Sequence, residues 1–151
     1  MGNLFRGSSS HTIDTKGRII IPSRFRDVID ANGDDHITIT RMDGCLYAYT
    51  TEQWNKISLQ FSERPNKSAA MRRFERIFVG ESAECKFDAQ GRILIPQTLK
   101  EYAKLEKEIV LLGLLKRFEI WSKESRENEI QLLAKDLEDE AFRQEIAELD
   151  L

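Results

Sequence analysis

Cysteine and histidine are scarce in this chain, two of each among 151 residues, and their scarcity removes whole classes of chemistry. Cys45 and Cys85 stand 40 positions apart with no Cys-x-x-Cys spacing. That excludes a thiolate zinc cluster and a disulfide framework, and leaves two buried or half-buried thiols. His11 and His36 fall in no metal-ligand or nucleophile-activating pattern and read as ordinary strand residues. Ser8-Ser9-Ser10 precede His11, but no Gly-x-Ser-x-Gly elbow or phosphate-cradling glycine loop accompanies them. The sequence therefore reads as a non-enzyme with no cofactor and no metal site. No apolar run approaches the roughly 18 residues of a membrane span and no signal-peptide pattern is present, so no membrane partner and a cytoplasmic location are expected.

Charge of one sign is also lacking at first sight, with 23 Lys and Arg against 26 Asp and Glu. The distribution is more informative than the total. Residues 123–151 hold four basic and ten acidic side chains, so residues 1–122 carry 19 basic against 16 acidic. A mildly basic body with an acidic tail is weak for a monomer holding a polyanion alone. An oligomer would repeat the basic loops, and summed phosphate contacts make affinity strong and salt-dependent.

What the chain does have is a repeat. Asp14-Thr15-Lys16-Gly17-Arg18-Ile19-Ile20-Ile21-Pro22 returns as Asp88-Ala89-Gln90-Gly91-Arg92-Ile93-Leu94-Ile95-Pro96, 74 positions later. In each copy Asp14 or Asp88 and Gly17 or Gly91 bracket a tight turn, because Asp bonds its own backbone two residues on and Gly accepts positive φ. The strand that follows, Arg18 to Ile21 or Arg92 to Ile95, is apolar on both faces past the arginine, as suits a strand buried in a small barrel. Pro22 and Pro96 stop it and open short helices, Ser23 to Ile29 and Gln97 to Ala103. A strand pair follows in each copy, His36 to Thr40 with Leu46 to Tyr49, then Glu108 to Leu112 with Phe118 to Trp121. Asp43-Gly44 makes the first hairpin turn, and Gly113 with Lys116-Arg117 is expected to make the second. Modules of roughly 45 to 50 residues have marginal cores by themselves, so one shared core and one pseudo-symmetric unit are expected.

These residues carry a resemblance. Leu4-Phe5-Arg6-Gly7, both Asp-x-x-x-Arg motifs, Gly44-Cys45-Leu46-Tyr47 with Trp54, and Phe118-Glu119-Ile120-Trp121 resemble the MraZ family of bacterial transcriptional regulators, which is similar to tandem AbrB-like DNA-binding modules. The resemblance covers about Phe5 to Trp121. It implies a mainly β, α+β fold in which two tandem modules form one pseudo-symmetric swapped-hairpin (double-psi) β-barrel with a C-terminal helix. The chain then divides into a first module at 5–52, a linking helical segment at 53–80, a second module at 81–122 and an acidic C-terminal helix at 123–151. The resemblance also implies closed rings of identical subunits, double-stranded DNA with promoter repeats as partner, and a nucleoid location. One departure is the N-terminus, where Met1-Gly2-Asn3-Leu4 precedes Phe5-Arg6-Gly7.

Around the first motif lie Arg6, Lys16, Arg18, Arg24 and Arg26. Asp14 is read as bracing the turn, because a carboxylate repels phosphate. Arg18 either pairs with Asp14 or reaches DNA, where guanidinium binds phosphate or guanine O6 and N7; the resemblance favours DNA. Lys16 on the turn is placed to meet phosphate. Its counterpart Gln90 has no charge, which makes the first copy the stronger contact surface. Arg92 is a second candidate, with a structural pair to Asp88 as its other reading. Arg6, Arg24 and Arg26 are supporting candidates, the last two equally readable as the outer face of a helix.

The segment Ser68 to Val79 has helical spacing, with Arg72, Arg73 and Arg76 opposite its apolar face, and reads as a helix packed on the barrel or a neighbour rather than a DNA helix. Glu124 to Leu149 reads as one amphipathic helix whose stripe, Ile130, Leu133, Leu137, Ala141, Ile146 and Leu149, must be covered by its own barrel or by another subunit. Two functions follow: a sequence-specific DNA-binding regulator of transcription, or a ring-forming protein-interaction scaffold. An antitoxin-like regulator is a relative of the first, and two full tandem copies argue against it.

Overall fold

Each motif opens a strand of three residues, and the proline behind it converts that strand into a helix. In the computed structural model, which describes residues 4–151, these are β2 (Arg18–Ile20) with α1 (Ser23–Ala31) and β6 (Arg92–Leu94) with α4 (Gln97–Tyr102). Met1–Asn3, the departure at the start, lie outside the described residues. Pro22 and Pro96 sit at the helix N-caps with φ −60° and −57°, the value the ring imposes.

The first copy adds β1 (Phe5–Thr12), β3 (His36–Met42) and β4 (Cys45–Tyr49), and then α2 (Thr51–Glu63) and α3 (Ala69–Phe78). The second adds β5 (Ala83–Lys86), β7 (Glu108–Leu115) and β8 (Arg117–Ser122), and then α5 (Lys123–Asp136) and α6 (Glu140–Ala147). The two copies do not form separate sheets. A six-stranded sheet runs β1-β7-β8-β4-β3-β5, and a two-stranded ribbon pairs β2 with β6. Each copy thus gives its first strand to the other copy's hairpin, β1 to β7 and β5 to β3, all antiparallel. Among the described residues no ladder joins β1 to β5.

The registers reveal a pseudo-twofold axis. Ile19 faces Ile93 in the ribbon, 74 residues apart, the spacing of the sequence repeat. Tyr47 faces Glu119 across β4 and β8, 72 residues apart, because α1 is longer than α4. Thr50 and Ser122, also 72 apart, cap α2 and α5 in the same way, accepting from the N–H of Gln53 and Ser125.

One core is shared by both copies. Ile19, Ile21, Ile93 and Ile95 are buried in it together with Phe5, Phe25 and Phe118, whose ring centroids lie 5.0–5.5 Å apart. A second cluster lies around Tyr49 and Trp121, where Trp54, Ile57 and Phe61 of α2 and Phe74 and Phe78 of α3 pack together.

Three expectations are corrected. Gly113 is not in the hairpin turn: it lies in the ladder, opposite Gly7 of β1 and Phe118 of β8, and the loop is Leu115-Lys116 with Leu115 at φ +65°. Glycine is needed there for closeness, since a Cβ would meet the Arg6 backbone N at 2.3 Å. The acidic tail is two helices rather than one, because Asp139 starts a new helix by accepting from the Phe142 N–H. The motif strands are not buried on both faces: Ile20 and Leu94 are 51% and 57% exposed.

Candidate nucleic-acid interface

Strand alternation sorts the motif residues. Ile19 and Ile93 point into the core, so Arg18, Ile20, Arg92 and Leu94 share the outer face of the β2–β6 ribbon. Arg18 lies opposite Leu94, and Ile20 opposite Arg92. Each arginine therefore has an aliphatic neighbour across the ribbon. The ladder continues into the turns, as the Ile21 N–H donates to Gly91 O at 3.1 Å and the Ile95 N–H to Gly17 O at 2.9 Å. Both motif turns are thus fixed to the ends of the partner copy's strand.

The two turns are built alike. Asp14 Oδ1 accepts from the N–H of Lys16 at 2.9 Å and of Arg18 at 2.8 Å, and Oδ2 accepts from Arg18 Nε at 2.7 Å. Asp88 accepts in the same way from Gln90 N, Arg92 N and Arg92 Nε, at 2.9, 2.9 and 2.8 Å. Gly17 and Gly91 take φ of +86° and +77°, the left-handed conformation that closes each loop. The Arg18 N–H leads the causes that hold the Asp14 carboxyl down at about 2, with the Arg18 side chain and the Lys16 N–H adding to it. Asp88 is lowered for the corresponding reasons, first the Arg92 N–H.

In the first copy the Asp14 bond uses only Nε of Arg18; among the described residues neither Nη has a hydrogen-bond partner. In the second copy Arg92 Nη2 donates to Gln90 Oε1 at 3.3 Å, so the residue that replaces Lys16 also ties down the arginine. Lys16 and Arg6 are exposed. Arg24 reaches back to β1, with Nη2 donating to Ser8 O at 3.1 Å and Nε to Arg6 O at 3.3 Å. Arg26 Nε donates to Ile21 O at 3.0 Å. The structure therefore sets Arg18 and Arg92 on one face of the ribbon with Lys16 exposed on the first turn, and Arg24 and Arg26 against the protein's own backbone.

Beside the ribbon runs a groove of about 660 Å³ between β1 and α5, lined by Ser8, Ser10 and Thr12, by Ile20, and by Lys123, Arg126 and Ile130. Arg72, Arg73 and Arg76 lie on exposed positions of α3, whose Phe74 and Phe78 pack inward. Sequence reading missed two features. Ile20 and Leu94 occupy the outward positions of an Arg-Ile-x-Ile alternation, a signal masked because all three residues after the arginine are aliphatic. The other is a polar cluster under the second hairpin. There Glu119, 6% exposed, accepts from Arg117 Nε and Nη2 at 3.0 and 2.7 Å and from Trp121 Nε1 at 3.0 Å, while Arg117 lies 4.0 Å over the Tyr47 ring. Alternation of Arg, Glu and Trp along β8 was the available signal.

The fold and this face define a class: a two-module α+β protein whose exchanged strands place two Asp-braced arginines on a ribbon about a pseudo-twofold axis. The sequence profile described as "MraZ protein, putative antitoxin-like" matches twice, over residues 4–77 and 78–147, and the chain belongs to this family. It is 51% identical over 148 residues to a protein of Desulforapulum autotrophicum, covering 98% of this chain and 100% of the relative. It is 49% identical over 148 residues to one of Desulfosudis oleivorans, with the same coverage. A protein of Lactiplantibacillus plantarum is 42% identical over 121 residues, covering 80% of this chain and 84% of the relative. All three relatives bear the name Transcriptional regulator MraZ. The second profile match takes in α5 and α6, so each repeat includes a helix pair as well as its strands. No helix among the described residues is long and apolar enough to cross a membrane.

Proposed function

We propose that the protein is a sequence-specific DNA-binding regulator of transcription, and that the outer face of the β2–β6 ribbon and its two turns meet the duplex. The observation that carries this reading is the pair of braced arginines, Arg18 and Arg92, held diagonally on one narrow ribbon. The major groove, about 12 Å wide, admits a two-stranded ribbon, and a guanidinium fixed through Nε still offers its Nη atoms to guanine or phosphate. Lys16 adds a phosphate contact in the first copy. Arg6, exposed on β1, is taken as a further cation, and Arg24 and Arg26, bonded to the protein's own backbone, as supporting residues.

The same reading makes the protein a homo-oligomer, a closed ring whose subunits each meet one short repeat of a promoter upstream of its own cell-division and cell-wall gene cluster. It places the protein in the cytoplasm on the nucleoid, and takes the exchanged hairpins as those of a swapped-hairpin double-psi barrel. Support for assembly comes from α5, where Ile130 and Leu133, one turn apart on the helix, are 51% and 48% exposed and so left largely uncovered by the chain's own sheet. That pair also favours the second reading, an interaction scaffold without specific DNA binding.

The experiment is fluorescence anisotropy of the protein on duplex DNA from upstream of its own gene and on a shuffled duplex, across a salt series. Preference for the native duplex with a steep negative salt slope is expected, the slope counting phosphate contacts. Equal, weak binding to both duplexes would overturn the DNA reading in favour of the scaffold.

A further inference from the structure

From the ribbon face we infer that Ile20 and Leu94 are sequence-reading residues that take up the 5-methyl groups of thymine in the major groove, beside the bases contacted by Arg18 and Arg92. The inference rests on the DNA reading above and adds to it a base, a groove and two residues.

Its first ground is exposure without cover. Ile20 and Leu94 are 51% and 57% exposed, while the residues on either side of them in the motif, Ile19, Ile21, Ile93 and Ile95, are at most 3% exposed. Core formation therefore explains the buried isoleucines and leaves the outward pair unexplained. The second ground is the internal repeat. On the turn the two copies differ, Lys16 against Gln90, but on the outer face both retain an arginine and, two residues on, a branched aliphatic. A face used only for phosphate would gain from a polar or basic residue at that position, since phosphate contacts come from charged and hydrogen-bonding groups.

The third ground is placement. The register sets Leu94 across from Arg18 and Ile20 across from Arg92, so each guanidinium has an aliphatic group beside it at cross-strand distance, roughly 5 Å. Leu94 also lies against the first turn, its Cδ1 3.8 Å from where a Cβ on Gly17 would stand. In the major groove the thymine methyl is the one apolar group on a base-pair edge, and it distinguishes T·A from every other pair when met by an aliphatic side chain. A donor and a methyl-sized apolar contact side by side suit a guanine with a thymine close by.

The test uses two duplexes of the native upstream sequence, one with thymine and one with deoxyuridine throughout, which removes only the methyl groups. The wild-type protein should bind the deoxyuridine duplex more weakly, by about 4-fold for each methyl it contacts, the worth of burying one such group. Ile20→Ala with Leu94→Ala should bind the thymine duplex more weakly, bind both duplexes alike, and keep the wild-type salt slope. Ile20→Val with Leu94→Val should retain the discrimination. Equal wild-type affinity for both duplexes would overturn the inference, and so would undiminished discrimination in the double alanine variant, whatever its oligomeric state. A wild-type protein that does not prefer the native duplex over the shuffled one fails the DNA reading itself, an outcome distinct from these.

Discussion

The guanidinium of Arg26 lies directly against Gly91: a Cβ on that glycine would meet Nε, Cζ and Nη1 of Arg26 at 3.1 Å. Arg26 belongs to α1 of the first copy and Gly91 to the turn of the second. Arg26 Nε also holds Ile21 O at 3.0 Å, and the Ile21 N–H donates to Gly91 O at 3.1 Å, so one side chain clamps the end of β2 to the opposite motif turn. Lys100, at the corresponding place in α4, approaches Gly17 less closely, with its Cδ 4.0 Å from the Cβ position. Arg26 therefore acts on the candidate interface by positioning a turn. Arg26→Ala is expected to lower DNA affinity while leaving the salt slope unchanged, whereas loss of a phosphate contact would reduce the slope by about 1. Gly91→Ala is expected to cost about 1–2 kcal/mol in urea unfolding, because its left-handed conformation strains any residue with a Cβ. A wild-type urea midpoint would show that the turn relaxes freely.

The copies differ where a charge matters. Lys16 is exposed in the first turn, and Gln90 in the second both lacks the charge and accepts from Arg92 Nη2. Arg18→Ala should cost about 1–3 kcal/mol of binding to the preferred duplex and relax preference at one position. Lys16→Ala should weaken binding to native and shuffled duplexes alike and reduce the salt slope by about 1 for each turn engaged. Arg92→Ala should cost less than Arg18→Ala. Anisotropy titrations on both duplexes check all three, and an Arg18→Ala protein with unchanged affinity removes Arg18 from the interface.

How much of this was legible in the sequence depended on how local the cause was. The motif turns, the prolines that end β2 and β6, and the Asp14 brace all follow from residues within five positions of one another. The exchange of strands did not, because pairing β1 with β7 is decided by the whole sheet and has no local signature. Gly113 misled for the same reason: its need for glycine comes from Arg6, more than a hundred residues away in sequence, and not from a turn. In the tail, the periodicity of Ile130, Leu133 and Leu137 was real, but Asp139 is a capping residue and starts a second helix. The α2 helix was not separated out within the linking helical segment read at 53–80, although Thr50 caps it by accepting from the Gln53 N–H. At the candidate interface, Lys16 was legible as a cation on a turn and Arg18 and Arg92 as cations at the start of the motif strands. The aliphatic partners Ile20 and Leu94 became visible only when the register showed which face they occupy.

The brace around Asp14 gives a pH prediction that separates backbone from side chain. The carboxyl is held at about 2 first by the Arg18 N–H, and only then by the Arg18 guanidinium and the Lys16 N–H. Its folded value lies below the ordinary 3.8, so its contribution to stability is present above about pH 4 and is lost as pH falls towards 2. Between pH 5 and 8 the brace should add no pH dependence to folding or to DNA binding. In Arg18→Ala the backbone N–H remains, and the Asp14 midpoint, followed by carboxyl carbon NMR, should rise while staying below 3.8. A midpoint at or above that value would assign the brace to the guanidinium instead.

Assembly can be tested on the uncovered helix without disturbing the core. Ile130 and Leu133 are 51% and 48% exposed on α5 and contribute no buried surface to the shared core, so Ile130→Glu with Leu133→Glu should leave the circular dichroism spectrum and the urea midpoint unchanged. If the stripe is where subunits meet, light scattering after gel filtration should show the mass falling towards that of one 17.5 kDa chain. The consequence for DNA then follows from multivalency. Linked sites gain affinity from high effective concentration, so a dispersed protein should lose about 10²-fold or more on a duplex with several repeats and almost nothing on one with a single repeat. Affinity that falls equally on both duplexes would mean that the glutamates repel phosphate directly, placing α5 beside the DNA. An unchanged mass would move the subunit contacts elsewhere, and the apolar groove between α2 and α3, lined by Tyr49, Ile57, Phe61, Met71 and Phe74, would be the next surface to alter.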